Sequence, residues 1–306
     1  MELSARMWLT GVLGRRLSVS ELAWLENAVE DIVARGSEPD VLSRYLALAS
    51  RHMPRAPLAP SQFECQQADE VLRGWNPERW SLLDTVRVGL VLALDPRQPV
   101  SATNAIEECF RYADVGELVA LYRSLALLPS PERFAWRAGE GCRSSMRAVF
   151  EAVACDSPLA FSLFDDVAWR QMVIKALFVE APLWRVFGLD RRLDSELARM
   201  ALDLCDERRS AGRPVRHELW LVLGRFGGER GRAALERELD VADVTSRRAA
   251  AIGLARASEL DTLRRRRASE HDPLVLAAMD AALAGRTNSE SFCDLDPTSS
   301  NPRQQS

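Results

Sequence analysis

One residue stands apart in the 306-residue chain. Lys175 is the sole lysine among 40 basic side chains, and all the others are arginine. So strong an arginine bias predicts arginine wherever any cation would serve. A lysine therefore points to a compact head with three donors, or to a space too small for a guanidinium. Stepping by 100° around a helix expected over 165–179 places Trp169, Met172, Val173, Ala176 and Leu177 on one side, with Ile174 and Phe178 on the other. A helix apolar on both sides belongs in an interior, and Gln171 and Lys175 then lie one turn apart beside Phe178 and Val179. An ammonium in that setting needs a carboxylate or several acceptors. Two readings stand: a structural buried ion pair, or a pocket group that binds or activates a ligand.

The neighbours that would meet this amine are sought on a helix beginning at Ser130-Pro131-Glu132 and expected to run to about Ala154. Its polar stripe is Arg137, Glu140, Ser144, Arg147 and Glu151, opposite Phe134, Ala138, Val149 and Val153. Gly139 and Gly141 inside it each cost about 1 kcal/mol relative to alanine, which implies close approach of a crossing helix or a ligand. Glu140, Arg143 and Glu151 are the expected partners of Lys175. With Arg123, Arg137, Trp169 and Gln171 they make up the expected ligand-lining set. Of eight tryptophans, Trp136, Trp169, Trp184 and Trp220 are alternatives for an aromatic-lined cavity suited to a flat or isoprenoid-like compound, against the plainer reading of core packing.

Other chemistries lack their residues. Six scattered cysteines contain no Cys-x-x-Cys, and His52, His217 and His271 lie far apart, so neither a disulfide framework nor a metal site is expected, and no cofactor. No nucleophile elbow, phosphate-binding loop, dinucleotide fingerprint or Asp-rich metal motif is present, and no catalytic residue is assigned. A net charge of −4 argues against nucleic acid as a partner. Arg264 to Arg267 is the one basic run and reads as a solvated helix face. The apolar runs Met7–Leu13 and Val88–Leu94 are too short to cross a membrane or to act as a secretory signal, which places the protein in the cytoplasm.

The elements that must position these residues are helical throughout. Ser18-x-x-Glu21 and Asp114-x-x-Glu117 are capping boxes ahead of apolar stripes, and Gly36 closes the first helix. Further helices are expected near 42–49, 62–73, 80–94, 102–112, 165–179 and 194–210. Past Trp220, Leu223-Gly224-Arg225-Phe226 is echoed by Ile252-Gly253-Leu254-Ala255, and Asp243 is echoed by Asp272 at the same offset. The fold class is all-α: an irregular helical array with C-terminal HEAT-like helix-pair repeats. The expected organisation is a helical region over 1–114, a central core over 115–227, repeats over 228–285 and a disordered tail over 286–306.

The central block carries a resemblance. Ala120-Leu-Tyr-Arg-Ser-Leu-Ala-Leu-Leu-Pro129, Arg137-Ala-Gly-Glu-Gly-Cys-Arg143, Val149-Phe-Glu-Ala152 and Ala168-Trp-Arg-Gln-Met-Val-Ile-Lys-Ala-Leu-Phe178 resemble the EboA family, continuing through Gly188-Leu-Asp190 to Glu218-Leu-Trp220. The resemblance spans about 115–227. It implies a bacterial cytoplasmic protein encoded with the Ebo gene cluster, which serves synthesis and traffic of a small metabolite. Arg170 stands where the family pattern has Asn, and Ser144-Ser145 where it has Thr-Asn. The favoured expectation is a non-catalytic protein that holds or hands over a small-molecule metabolite, working with other Ebo-cluster proteins including a membrane component. The rivals are a helical scaffold for biosynthetic or membrane partners and a pathway enzyme using Lys175 or a nearby carboxylate.

Overall fold

A computed structural model describes residues 3–36, 38 and 40–295. Among them there is no β-strand, only a single antiparallel bridge between Pro57 and Ser81, so the all-α expectation holds. The chain divides into two units between Asp165 and Asp166, inside the block expected to be one core over 115–227.

The first unit contains α1 (Ala5–Gly14), α2 (Val19–Arg35), α3 (Val41–His52), α4 (Gln62–Val71), α5 (Leu82–Val91), α6 (Pro99–Tyr112), α7 (Val115–Leu125), α8 (Ala135–Arg143), α9 (Arg147–Ala154) and α10 (Leu159–Leu163). Its starts are written into the sequence. Ser18, Ser61, Ser81 and Asp114 each accept from the backbone N–H three residues on, and the acidic residue at that position answers back to the cap's own N–H. Each box satisfies two donors that a helix start leaves unpaired. Helix α5 is buried on nearly every side and packs against α1, α2, α3 and α7, while α7 packs on α9. Even its Arg87, 3% exposed, is accommodated, donating from Nε to the Leu46 carbonyl and facing Glu117.

The long helix expected from Pro131 to Ala154 is three pieces: a 3-10 turn Pro131–Phe134, α8 and α9. Extended backbone at Ser144 ends α8, and the Ser144 hydroxyl accepts from the Met146 N–H. The break lets α8 fold against α9. The contact point is Gly141, where a Cβ would lie 2.6 Å from Val153 Cγ2 and 2.7 Å from the Tyr122 ring. Of the two explanations for the glycines, helix crossing accounts for Gly141. Gly139 meets nothing closer than 3.7 Å.

The second unit contains α11 (Asp166–Val179), α12 (Ser195–Ser210), α13 (Leu219–Leu223), α14 (Gly228–Glu238), α15 (Val244–Arg256), α16 (Leu260–Arg267) and α17 (Pro273–Leu283). Helix α15 is its centre, packing on α13, α14, α16 and α17. Asp243 and Asp272 are the N-caps of α15 and α17, which gives the spacing between them a physical basis. The glycines of the other echo play unlike parts. Gly224 ends α13 at φ +46°, whereas Gly253 lies within α15 against Leu235 and Trp220.

The expected tail departs from the structure over its first part. A 3-10 helix, Ser289–Leu295, packs on Leu183–Arg185 and α15, with Phe292 fully buried and Leu295 nearly so. Two apolar side chains one turn apart suffice to anchor a segment whose mean composition is polar. Residues 296–306, the rest of that expected tail, lie outside the described residues.

Candidate functional site

Five of the eight residues expected to line a ligand, Arg123, Arg137, Glu140, Arg143 and Glu151, belong to the first unit, and Trp169, Gln171 and Lys175 to the second.

In the first unit each expected residue has a specific partner. Arg123 on α7 donates to Asp84 at 2.8 Å and lies over the Trp80 ring. Asp84 thus serves both as the capping-box acid of α5 and as the counterion of a neighbouring helix. Arg143 pairs with Glu140 and Arg147 with Glu151 at 2.6 Å, at the i,i+3 and i,i+4 spacings that share a helix face.

Arg137 is the most elaborately held. Its guanidinium donates from Nε to Glu107 at 2.7 Å and again from Nη2, and it lies over the rings of Phe110 and Trp136, 4.9 and 4.7 Å from their centroids. Cation–π contacts to two rings and a carboxylate on two of its nitrogens fix a normally mobile side chain. Phe110 in turn packs on Tyr122, whose phenol burial pushes up to about 12, within the electrostatic reach of Arg137, Glu140 and Glu107. A phenol so placed stays protonated at any physiological pH and can act as a hydrogen-bond donor. Trp136 remains 62% exposed, leaving its indole face open to solvent beside a fixed cation.

In the second unit α11 buries Trp169, Met172, Val173, Ala176 and Leu177, the stripe expected from the sequence. Its other side is not interior. Val167 and Phe178 are 60% and 55% exposed, Gln171 is exposed and Lys175 is half-buried. The amine is therefore less deeply enclosed than a helix apolar on both sides implied, because α11 is covered along one stripe only. Arg192 lies over the Trp169 ring and pairs with Asp166 at 2.8 Å. Arg170, the departure from the family pattern, forms a two-nitrogen bond to Asp194, the N-cap of α12. An asparagine there is too short to make that fork.

Among the tryptophans considered for a cavity, Trp169 and Trp220 are buried, Trp184 is half-buried and Trp136 is exposed. The aromatic cluster that does form, Trp8, Trp75 and Trp80, is not announced by the sequence. Trp75 lies 5.0 Å from Trp8 and 5.9 Å from Trp80, and all three are buried. Glu107, Phe110 and Tyr122 are likewise neighbours of Arg137 that the sequence does not reveal. No local spacing signals contacts between segments so distant along the chain. Among the described residues there is no group of three His, Cys, Asp or Glu side chains placed to hold a metal, and no helix long and apolar enough to cross a membrane.

Packed helices, arginine-held carboxylates and a half-open aromatic face define an all-α protein with polar surfaces fixed in place. The sequence model of one family, described as metabolite traffic protein EboA, matches residues 5–224, and the chain belongs to the EboA family. The match reaches well beyond the 115–227 block of the resemblance, taking in α1 to α6. Nothing among curated proteins or solved structures matches the chain.

Proposed function

We propose that this protein holds or hands over a small metabolite without transforming it, as a cytoplasmic partner of other Ebo-cluster products including a membrane component. The observation that carries this reading is the family match over residues 5–224 to proteins described as serving metabolite traffic. Two surfaces are proposed to face the ligand. One is Arg137 with Glu140 and Arg143 of α8, together with Arg123 of α7 and Glu151 of α9, where the exposed Trp136 offers a flat face next to a fixed guanidinium. The other is Gln171 and Lys175 of α11, on the helix side away from the buried Trp169. The non-catalytic reading is supported by the carboxylates themselves: Asp84, Glu107, Glu140 and Glu151 each accept from an arginine, which suits them to orienting and less to proton transfer.

The test is native mass spectrometry of the full chain purified with and without its neighbouring genes. A bound small molecule, reduced by Arg137→Ala or Lys175→Met, is the expected result, and an invariably empty chain rejects the reading. Turnover of the bound compound by the isolated chain, abolished by Lys175→Arg, would instead establish the enzyme.

A second reading rests on the row α13, α15 and α17, proposed as HEAT-like helix pairs that gather partners. Loss of co-purifying partners on disrupting this row, with Lys175→Met silent, would favour it.

A further inference from the structure

The C-terminal end of α1 and the start of α4 border a shallow, solvent-open cleft of about 590 Å³, lined by Arg15, Arg16, Ser61, Phe63, Glu64 and Gln67. Its floor is rigid. The Trp8 indole N–H donates to the Glu64 carbonyl at 2.9 Å, tying α1 to α4, and the Glu64 side chain is 7% exposed. Glu64 accepts from Arg15, from both terminal nitrogens of Arg16 and from the Ser61 N–H. Arg16 is fully used, donating also to the carbonyls of Val12, Leu58 and Ala59.

Arg15 is not. Only one of its nitrogens donates, to Glu64 at 2.6 Å, and the side chain is 59% exposed. A guanidinium carries five N–H donors, so most of this one's are left to solvent at the edge of the cleft. Two guanidiniums around a single carboxylate leave one excess positive charge, and Phe63, 67% exposed and also lining the cleft, adds an apolar face.

A volume in the range of small-ligand sites, one unspent cation on a locked base and one exposed aromatic ring specify an occupant. We propose that this cleft binds an organic monoanion with a flat apolar body, an aryl or polyene carboxylate, its carboxylate on Arg15 and its body against Phe63. Glu64 and Arg16 are positioning residues: they hold Arg15 at the cleft and spend none of their own groups on the ligand. The proposal rests on the metabolite-handling reading and assigns it a site distinct from the surfaces on α8 and α11.

The test is calorimetric titration of the full chain with 2-naphthoate and with its neutral analogue 2-naphthylmethanol. The expected result is saturable one-to-one binding of the carboxylate, weakened at least about tenfold by Arg15→Gln and by Phe63→Ser, with the alcohol far weaker. The thermal midpoint of Arg15→Gln should match the wild type, because Arg16 keeps Glu64 paired. Absent binding, equal binding of acid and alcohol, or binding unchanged in Arg15→Gln would each overturn the assignment. If the wild-type chain co-purifies a metabolite yet binds no 2-naphthoate, this cleft falls while the metabolite reading stands. If the wild-type chain is always empty yet binds 2-naphthoate through Arg15, the reverse holds.

Discussion

The ring of Tyr122 closes over the backbone of Gly141, so that a methyl group there would lie 2.7 Å from Tyr122 Cε1 and 2.6 Å from Val153 Cγ2. No side chain but hydrogen fits between α7, α8 and α9 at this point. Gly141→Ala should therefore destabilise the protein by about 1–3 kcal/mol, the usual cost of overpacking. Gly139→Ala, on the same helix but with free space, should be neutral or stabilise by about 0.4–1 kcal/mol through the unfolded chain. Urea unfolding of the two variants measures the contrast, and equal midpoints would contradict the packing described.

Glu64 should make the first unit sensitive to acid. Hydrogen bonds from Arg16, and then Arg15 and the Ser61 N–H, hold its carboxyl far below the usual carboxylate range against the opposing effect of burial. A folded-state pKa below the unfolded one gives stability that is complete above the unfolded value, about 4.3 for Glu, and is lost as pH falls toward the folded value. Glu64→Gln should cost about 3 kcal/mol at pH 7, by stranding Arg16. The gap from wild type should narrow below about pH 4. A gap that stays constant between pH 7 and pH 3 would rule this linkage out.

Phe292 has no exposed surface, so Phe292→Ala should cost about 3–5 kcal/mol. Limited proteolysis should then cut within 286–295, a segment that the wild-type chain protects. Cleavage there in both proteins at equal rates would mean that the segment is not anchored.

The paired caps give a quieter prediction. Asp243→Ala and Asp272→Ala should each lower stability by about 1 kcal/mol, and Asp→Asn should recover most of it, since the amide oxygen accepts the same backbone bonds. Thermal denaturation of the four variants provides the check.

How much of the fold is legible in the amino-acid sequence follows from the range of each interaction. Ser18 and Asp114 mark helix starts because a cap acts within a single turn, and the buried stripe of α11 is visible because helical periodicity is local; Asp243 and Asp272 show in the sequence only as an echo, and the fold makes them caps. The break at Ser144 carries no glycine or proline. The amphipathic stripe continues on both sides of it, so α8 and α9 look like one helix until Gly141 meets Tyr122. Arg143 and Arg147 stand at helical spacing from Glu140 and Glu151, and those pairs, legible in the sequence, form in the fold. Arg137 with Glu107, and Arg15 and Arg16 with Glu64, join segments far apart along the chain, and only the folded protein shows which carboxylate each arginine chose.

Arg256 of α15, 7% exposed on its side chain, reaches Asp190 and the carbonyls of Leu221 and Thr287, and Asp190 also receives the Ser289 N–H. The stretch shared with the family ends at residue 224, yet Asp190 within it is clasped by side chain and backbone from beyond that point. A fragment trimmed to the shared stretch would bare Trp220 and the apolar side of α13 to water. Anyone shortening the polypeptide for biochemistry should expect inclusion bodies from that boundary and soluble material only when α14 through Leu295 are retained.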